Sequence, residues 1–247
     1  MLPFPVRHPL DWALYLAFGL ELLVLCGGLA TGRLDSAQTG RLPRWLRMTL
    51  STLLVVAAFL WRLAARGTPI TGYATWILAG MAAGSLGDWI MARFIPVPNR
   101  LIGGMAAFSV GHVLYSVAML WFEWQIGALR LIRLAALLAL MWALSTWAWH
   151  RFVRKPGGSR AINAGSLVYG WIIGTMVACA GSLALFDLRF VALAAGALLF
   201  AASDFLLGNW VIRGHSWRSV NDVVWTTYVA GQLLTVYSVS AALSTLA

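Results

Sequence analysis

Eight apolar runs, each as long as a bilayer core is thick, follow one another along this chain. They cover residues 10–30, 47–65, 70–92, 101–122, 129–150, 162–184, 190–210 and 222–243. A spanning helix needs about 20 mostly apolar residues. Hydrocarbon offers the backbone no hydrogen-bond partners, so a spanning segment must satisfy its own N–H and C=O groups. None of the runs alternates with a period of two, which excludes a transmembrane β-barrel. The links are short and carry Arg, Pro, Gly or Asn, leaving no room for an inserted soluble domain. The sequence therefore predicts an all-α fold: a polytopic membrane helix bundle of eight transmembrane helices, forming a single transmembrane domain over residues 1–247.

Composition agrees. The chain is 61% hydrophobic and 11% charged, whereas a soluble domain is roughly 45–50% apolar and about 25% charged. Its net charge of +10 is spread through short loops. That suits anionic lipid headgroups rather than nucleic acid, which would need a soluble basic face. Cys26 and Cys179 lie in separate apolar runs and read as packing residues. No Cys-x-x-Cys and no Cys/His cluster suggests a metal or haem. The first run lacks a small-x-small cleavage site and reads as a retained helix.

Positive charge sets orientation. The side with Arg33, Arg41, Arg44, Arg47, Arg93, Arg100, Arg151, Arg154, Lys155, Arg160, Arg213 and Arg218 outweighs the side with Arg7, Arg62, Arg66, Arg130, Arg133 and Arg189. The first side is expected to face the cytoplasm, with both termini outside the cell membrane. Trp12, Trp45, Trp61, Trp124 and Trp147, among others, fall near predicted helix ends and read as an interfacial belt. Gly80-x-x-x-Gly84 and Gly170-x-x-x-Gly174 permit close helix approach, more simply within one chain than between two.

Against this background two groups stand out. Asp88 lies in Gly84-Ser85-Leu86-Gly87-Asp88, and His112 in Phe108-Ser109-Val110-Gly111-His112-Val113-Leu114-Tyr115. An Asp at a helix centre costs roughly 2.5–3.5 kcal/mol on insertion scales, so its presence points to function. A local repeat adds a second carboxylate. Leu86-Gly87-Asp88-Trp89-Ile90-Met91 aligns with Ala202-Ser203-Asp204-Phe205-Leu206-Leu207, and Phe108-x-x-Gly111-His112 with Tyr228-x-x-Gly231-Gln232. This reads as a parallel four-plus-four repeat about an axis along the membrane normal. It would place Asp88 and Asp204 at one depth on opposite walls of a cavity.

Two carboxylates sharing a partly dry site separate into an acid and a base, because a like charge disfavours the second ionisation. His112 and Tyr115 lie three apart on one helix face; Tyr169, Tyr228 and Gln232 add hydrogen-bonding groups. Each has a structural reading too: the Asp bonded to nearby Ser, the His and Tyr packed in the core. Glu21, mid-span in the first run, either pairs with an Arg or lines the cavity. Asp11, Asp35, Glu123, Asp187 and Asp222 fall at helix ends or loops, where solvation suffices. Asn209 reads as interfacial.

At these residues the sequence resembles the lysoplasmalogenase family, the YhhN-like membrane proteins. The matching stretches are Gly84 to Asp88, Gly104 to Tyr115, Tyr169-Gly170, Gly196 to Asp204 and Thr227 to Leu234, in the family's order from about residue 70 onwards. The resemblance implies an eight-helix, metal- and cofactor-independent enzyme. It would hydrolyse the vinyl ether of lysoplasmalogens to a fatty aldehyde and a glycerophospho-ethanolamine or -choline. It implies Asp88 and Asp204 as the catalytic pair, with His112, Tyr115 and Tyr228 in the pocket; Tyr169 and Gln232 are expected beside them as hydrogen-bonding, substrate-binding groups. Arg47-Met48 stands where the family tends to have Lys-Pro; Arg47 still offers charge to a phosphate. The competing readings are another ether-lipid or lipid hydrolase on the same scaffold and a transporter with Asp88 and Asp204 in an ion or proton path. An intramembrane aspartyl protease fits poorly, since the Gly-x-Gly-Asp motif is not matched and no Tyr-Asp partner exists. Which Asp is acid and which is base is open at this level, as is oligomeric state.

Overall fold

The computed structural model describes residues 9–245, which are helical almost throughout and contain no strand. In chain order the helices are α1 (Pro9–Thr31), α2 (Arg44–Ala64), α3 (Thr71–Met91), α4 (Arg100–Gln125), α5 (Leu131–Ala148), α6 (Arg160–Phe186), α7 (Val191–Gly208), α8 (Val220–Val236) and the short α9 (Ser238–Thr245). The helices coincide with the eight predicted runs, the last divided at Tyr237 into α8 and α9. Arg7, counted above for orientation, lies outside the described residues. Local chemistry sets the ends. Prolines 96 and 98 follow α3, and the Asn99 side chain accepts from the amides of Leu101 (3.1 Å) and Ile102 (3.2 Å) to start α4. Both α5 and α7 run on into wider π turns, Trp149–Val153 and Asn209–Arg213.

Six of the described helices are long and apolar enough to cross a membrane: α1, α2, α4, α5, α6 and α7. This is a multi-pass membrane protein. The other two expected spans, α3 and α8, fall short for a physical reason. α3 carries Ser85, Asp88 and six glycines or threonines; α8 carries Asn221, Asp222, Gln232 and Thr235. Both helices turn these groups inward, where Ser85, Asp88, Asn221, Asp222, Gln232 and Thr235 are all buried. By contrast α5, with almost no buried side chain, presents aliphatic residues outward.

The tightest pairs are α3 with α4 and α7 with α8; α4 also packs on α6, and α2 on α8. Glycine makes both pairs possible. A Cβ on Gly111 would lie 2.9 Å from the Gly80 carbonyl oxygen and 3.4 Å from the Gly84 nitrogen. A Cβ on Gly231 would lie 2.8 Å from the Gly196 oxygen and 2.8 Å from the Phe200 nitrogen. Backbones cross here at a distance that only glycine permits. Asp88 follows Gly80, and Asp204 follows Gly196, at the same spacing. Gly174, likewise, faces Ser145 and Met141 of α5. The small-residue motifs thus serve packing within the chain.

Several side chains depart from expectation. Glu123 and Asp222 are buried rather than solvated, because an arginine is brought to each, from the first turn of α5 and from the α1–α2 loop. Arg133 reaches Glu123 at 3.3 Å while bonding Ser182 Oγ (3.0 Å) and the Ala128 carbonyl (2.8 Å). Arg41 reaches Asp222 at 3.5 Å. Among the described residues Glu21 has no arginine partner and does not line the cavity; both its oxygens are buried there without a hydrogen-bond partner. Trp61 is buried against the Tyr237 ring (5.7 Å) rather than in a belt, whereas Trp12, Trp45, Trp124 and Trp147 are exposed as expected. Cys179 packs in the core, but Cys26 stands on an exposed face of α1.

The glycine crossings yield a prediction. Gly231→Val forces the α7–α8 backbones apart, costs about 1–3 kcal/mol and lowers the melting temperature in detergent by about 5 °C or more. Gly165→Ala, whose Cβ meets nothing closer than 3.8 Å, shifts it by no more than about 2 °C. Equal melting temperatures for both would contradict the close-crossing account.

Candidate active site

Asp88 sits on the last turn of α3 and is held by hydroxyl donors from two other helices. Tyr228 OH of α8 donates to its Oδ2 at 2.6 Å, and Ser51 Oγ of α2 donates to the same oxygen at 2.7 Å. Ser51 and Ser85 hydroxyls lie 2.9 Å apart. The carboxylate is 5% exposed, which makes these donors the replacement for water.

Asp204 sits on α7 and is held by a different set. Tyr169 of α6 lies 2.5 Å from its Oδ2. His112 Nε2 of α4 lies 3.7 Å from the same oxygen and 3.4 Å from Tyr169 OH. The other ring nitrogen of His112 faces Met176 Sδ at 3.1 Å. Phe200 packs on the imidazole at 4.5 Å between centroids and fixes its plane.

Both carboxylates open on one polar chamber of about 260 Å³ at the end of the bundle where α3 ends and α4 begins. Arg44 and Arg47 of α2 and Arg100 of α4 also line it. Arg47 stacks over Trp225 at 5.5 Å and reaches Asn221 Oδ1 at 3.4 Å; its Nε is buried with no acceptor. The chamber therefore presents cationic donors that the protein leaves unspent. Its remaining carboxylate, Asp35, is spent on its own turn. Burial is the largest single influence and pushes that carboxyl up, but hydrogen bonds from the Thr39 hydroxyl and from the Thr39, Gly40 and Ala37 amides together outweigh it and hold it below the ordinary 3.8.

An apolar slot of about 40 Å³ adjoins the chamber between α4, α6 and α7. Leu101, Met105, Gly170, Ile173 and Phe205 line it, and Met91, Phe108, Asp204 and Leu207 form a wall common to both spaces. The two π turns brace its far end: Val153 lies against Gly208, Asn209 Nδ2 donates to the Phe152 carbonyl at 2.6 Å, and Arg213 donates to the Arg151 carbonyl. Asn209 is thereby a brace between π turns as well as a half-buried polar group.

The α1–α2 loop caps the chamber against the α7–α8 loop. Ser219 N donates to Gln38 O (2.9 Å), Asn221 N to Thr39 O (2.8 Å) and Arg41 N to Asp222 Oδ1 (2.6 Å). Gln38 and Ser219 adopt left-handed φ values of 59° and 65° to make this seam.

Of the residues singled out in the sequence, Asp88, Asp204, Tyr228 and Arg47 line the chamber, and Tyr169 lines the slot. His112 stands behind Tyr169. Tyr115 donates to Gln232 Oε1 at 2.8 Å within the core, and neither lines either space. Ser51, Arg44, Arg100 and Trp225 were not anticipated. Arg44 and Arg100 were visible only as loop charge, and a lone serine on an apolar run carries no signal of its own. Among the described residues no three His, Cys, Asp or Glu side chains gather as metal ligands would.

A family model described as the YhhN family matches residues 44–239. Two curated proteins named lysoplasmalogenase are each 29% identical over 226 residues, covering 89% of this chain and 78% of theirs. They come from Mycobacterium bovis (strain ATCC BAA-935 / AF2122/97) and Mycobacterium tuberculosis (strain CDC 1551 / Oshkosh). No solved structure matches the chain.

The cap gives a prediction with a pH sign. Asp222→Ala unpairs Arg41 and speeds hydrogen exchange at the Ser219 and Asn221 amides by about tenfold or more. In the wild type the lowered Asp35 carboxyl contributes to the turn above its unfolded value and loses that contribution only as the pH falls below 3.8. Exchange at the Thr39 amide should therefore stay slow at pH about 5 and rise in stronger acid. Opening already at pH about 5 would contradict the turn.

Proposed function

Because this chain belongs to the YhhN family, we propose that it is a membrane hydrolase cleaving the vinyl ether of lysoplasmalogens with Asp88 and Asp204 as catalytic pair. The observation that carries the reading is the placement of two carboxylates on one chamber rimmed by Arg44, Arg47 and Arg100. The products are a fatty aldehyde and a glycerophospho-ethanolamine or -choline. One protonated Asp donates to the vinyl carbon farther from oxygen, creating an oxocarbenium-like centre. The ionised Asp stabilises that charge and activates water for the carbon next to oxygen, as in two-carboxylate glycosidases. This acid/base chemistry asks for no metal. The relatives' name, lysoplasmalogenase, supports the substrate class.

The rest of the reading follows from geometry. Arg47, with its unspent Nε, takes the substrate phosphate, helped by Arg44 and Arg100. Tyr228 and Tyr169 hold the two aspartates; Tyr115, Gln232 and His112 support them from the core. The chain acts as one transmembrane domain of eight spans in the cell membrane, the chamber on the cytoplasmic side and both termini outside. The equivalent glycine crossings and Asp positions in α3–α4 and α7–α8 support a parallel four-plus-four repeat behind the paired carboxylates.

Aldehyde release by purified protein from a lysoplasmalogen of either headgroup tests this. Asp88→Asn and Asp204→Asn, with melting temperatures near wild type, should each lose about 10²–10⁴ in turnover. An inert wild type sinks the substrate class. Near-full activity in both variants makes the aspartates structural.

A further inference from the structure

The two aspartates differ in what surrounds them, and a proton inventory separates their roles. Asp88 receives the Tyr228 and Ser51 hydroxyls, two donors whose arrangement suits an ionised carboxylate. Asp204 instead belongs to a line that contains an imidazole, itself a proton holder, and that can run either way. Met176 Sδ only accepts, so the His112 nitrogen facing it carries a proton in every arrangement. Two arrangements then satisfy the line. In one, His112 is doubly protonated, its Nε2–H pointing to Tyr169 and the Tyr169 hydroxyl to an ionised Asp204. In the other, Asp204 holds the proton and donates to Tyr169, which donates to a neutral Nε2. They differ by one proton moved from His112 to Asp204 through Tyr169.

Position agrees with chemistry. Asp204 lies in the wall common to the apolar slot and the polar chamber, whereas Asp88 lines the chamber alone. A lysoplasmalogen with its tail in the slot and its phosphate at Arg47 puts the tail-side vinyl carbon towards the slot and the ether oxygen towards the chamber. The carbon needing a proton is then on the Asp204 side; the carbon needing water is on the Asp88 side. We propose that Asp204 is the acid that protonates the tail-side vinyl carbon, with His112 resupplying it through Tyr169, and that Asp88 is the base that takes the proton from water. This assignment rests on the vinyl-ether reading above.

The step balances. The Asp204 proton forms a C–H bond at the tail-side carbon as the C=C π pair is used, leaving an oxocarbenium. Water adds to the oxygen-side carbon and gives one proton to Asp88, forming a hemiacetal. Asp88 returns that proton to the glycerol oxygen as the C–O bond breaks. The hemiacetal hydroxyl proton returns to Asp204 by way of Tyr169 and His112, and the aldehyde leaves. One water is consumed and both carboxyls are restored.

The experiment is turnover in D₂O by the purified full chain, reading deuterium at the tail-side carbon in released aldehyde and recovered substrate together. Asp88→Asn keeps its acid and should install deuterium at least about tenfold faster than Asp204→Asn; Asp88→Ser and Asp204→Ser serve if an amide variant does not fold. An equal rate, or a faster one in Asp204→Asn, overturns the assignment while leaving the two-aspartate reading in place. A wild type that releases no aldehyde sinks that reading and takes the assignment with it. For the relay, His112→Gln should leave the single-turnover rate within about threefold of wild type and slow steady-state turnover by about tenfold. Equal losses in both rates mean that His112 only positions Tyr169, and overturn its proton-supply role.

Discussion

A carboxylate enclosed by a helix bundle must be solvated by that bundle, and the rest of this molecule is arranged around meeting that demand twice. Desolvating an isolated charge costs several kcal/mol even after relaxation. Asp88 is compensated by hydroxyls from α2 and α8, and Asp204 by groups from α6 and α4. Four helices must therefore approach two others closely enough for short polar side chains to reach. The glycine crossings at Gly80–Gly111 and Gly196–Gly231 bring that about. Removing the Cβ there lets backbones meet and lets Tyr228, one turn before Gly231, lie beside Asp88. Packing and polar chemistry are in this sense one arrangement.

The same demand explains why α3 and α8 fall outside the helices that are long and apolar enough to cross a membrane. They carry the groups that serve the chamber, and they can do so because α1, α2, α4, α5, α6 and α7 supply the apolar surface. The burial of Glu123 and Asp222 follows the same rule at the two ends of the bundle, where Arg133 comes in from the first turn of α5 and Arg41 from the α1–α2 loop.

Much of this was legible in the sequence, and what was not has physical causes. Helix existence followed from run length, because hydrocarbon leaves the backbone no alternative. The Asp pair followed from the cost of a charge in an apolar run and from the local repeat. Partners were less legible. Ser51 lies 37 positions from Asp88 on a run whose hydropathy it barely alters, so only the tertiary fold brings it in. Glu123 and Asp222 were read as solvated because their position at helix ends is visible, whereas the arginine brought to each is not. Tyr115 and Gln232 were expected to face substrate. Sequence spacing puts Tyr115 near His112, yet its azimuth is settled by the α3–α4 crossing, which turns it onto Gln232 instead. The chamber and slot are also absent from any local pattern, since their common wall draws on α3, α4 and α7.

The central claim is that both carboxylates flank the ether carbon of a single-chain lipid. The most direct measurement is an experimental structure of the protein with a saturated alkyl-ether lysophospholipid, which binds as substrate would but has no vinyl group to hydrolyse. The account predicts the ether oxygen and its first tail carbons between Asp88 and Asp204, the phosphate beside Arg47, and the tail running between α4 and α6. Lipid found only on the outer faces of the bundle, with the chamber holding no part of it, would contradict the account.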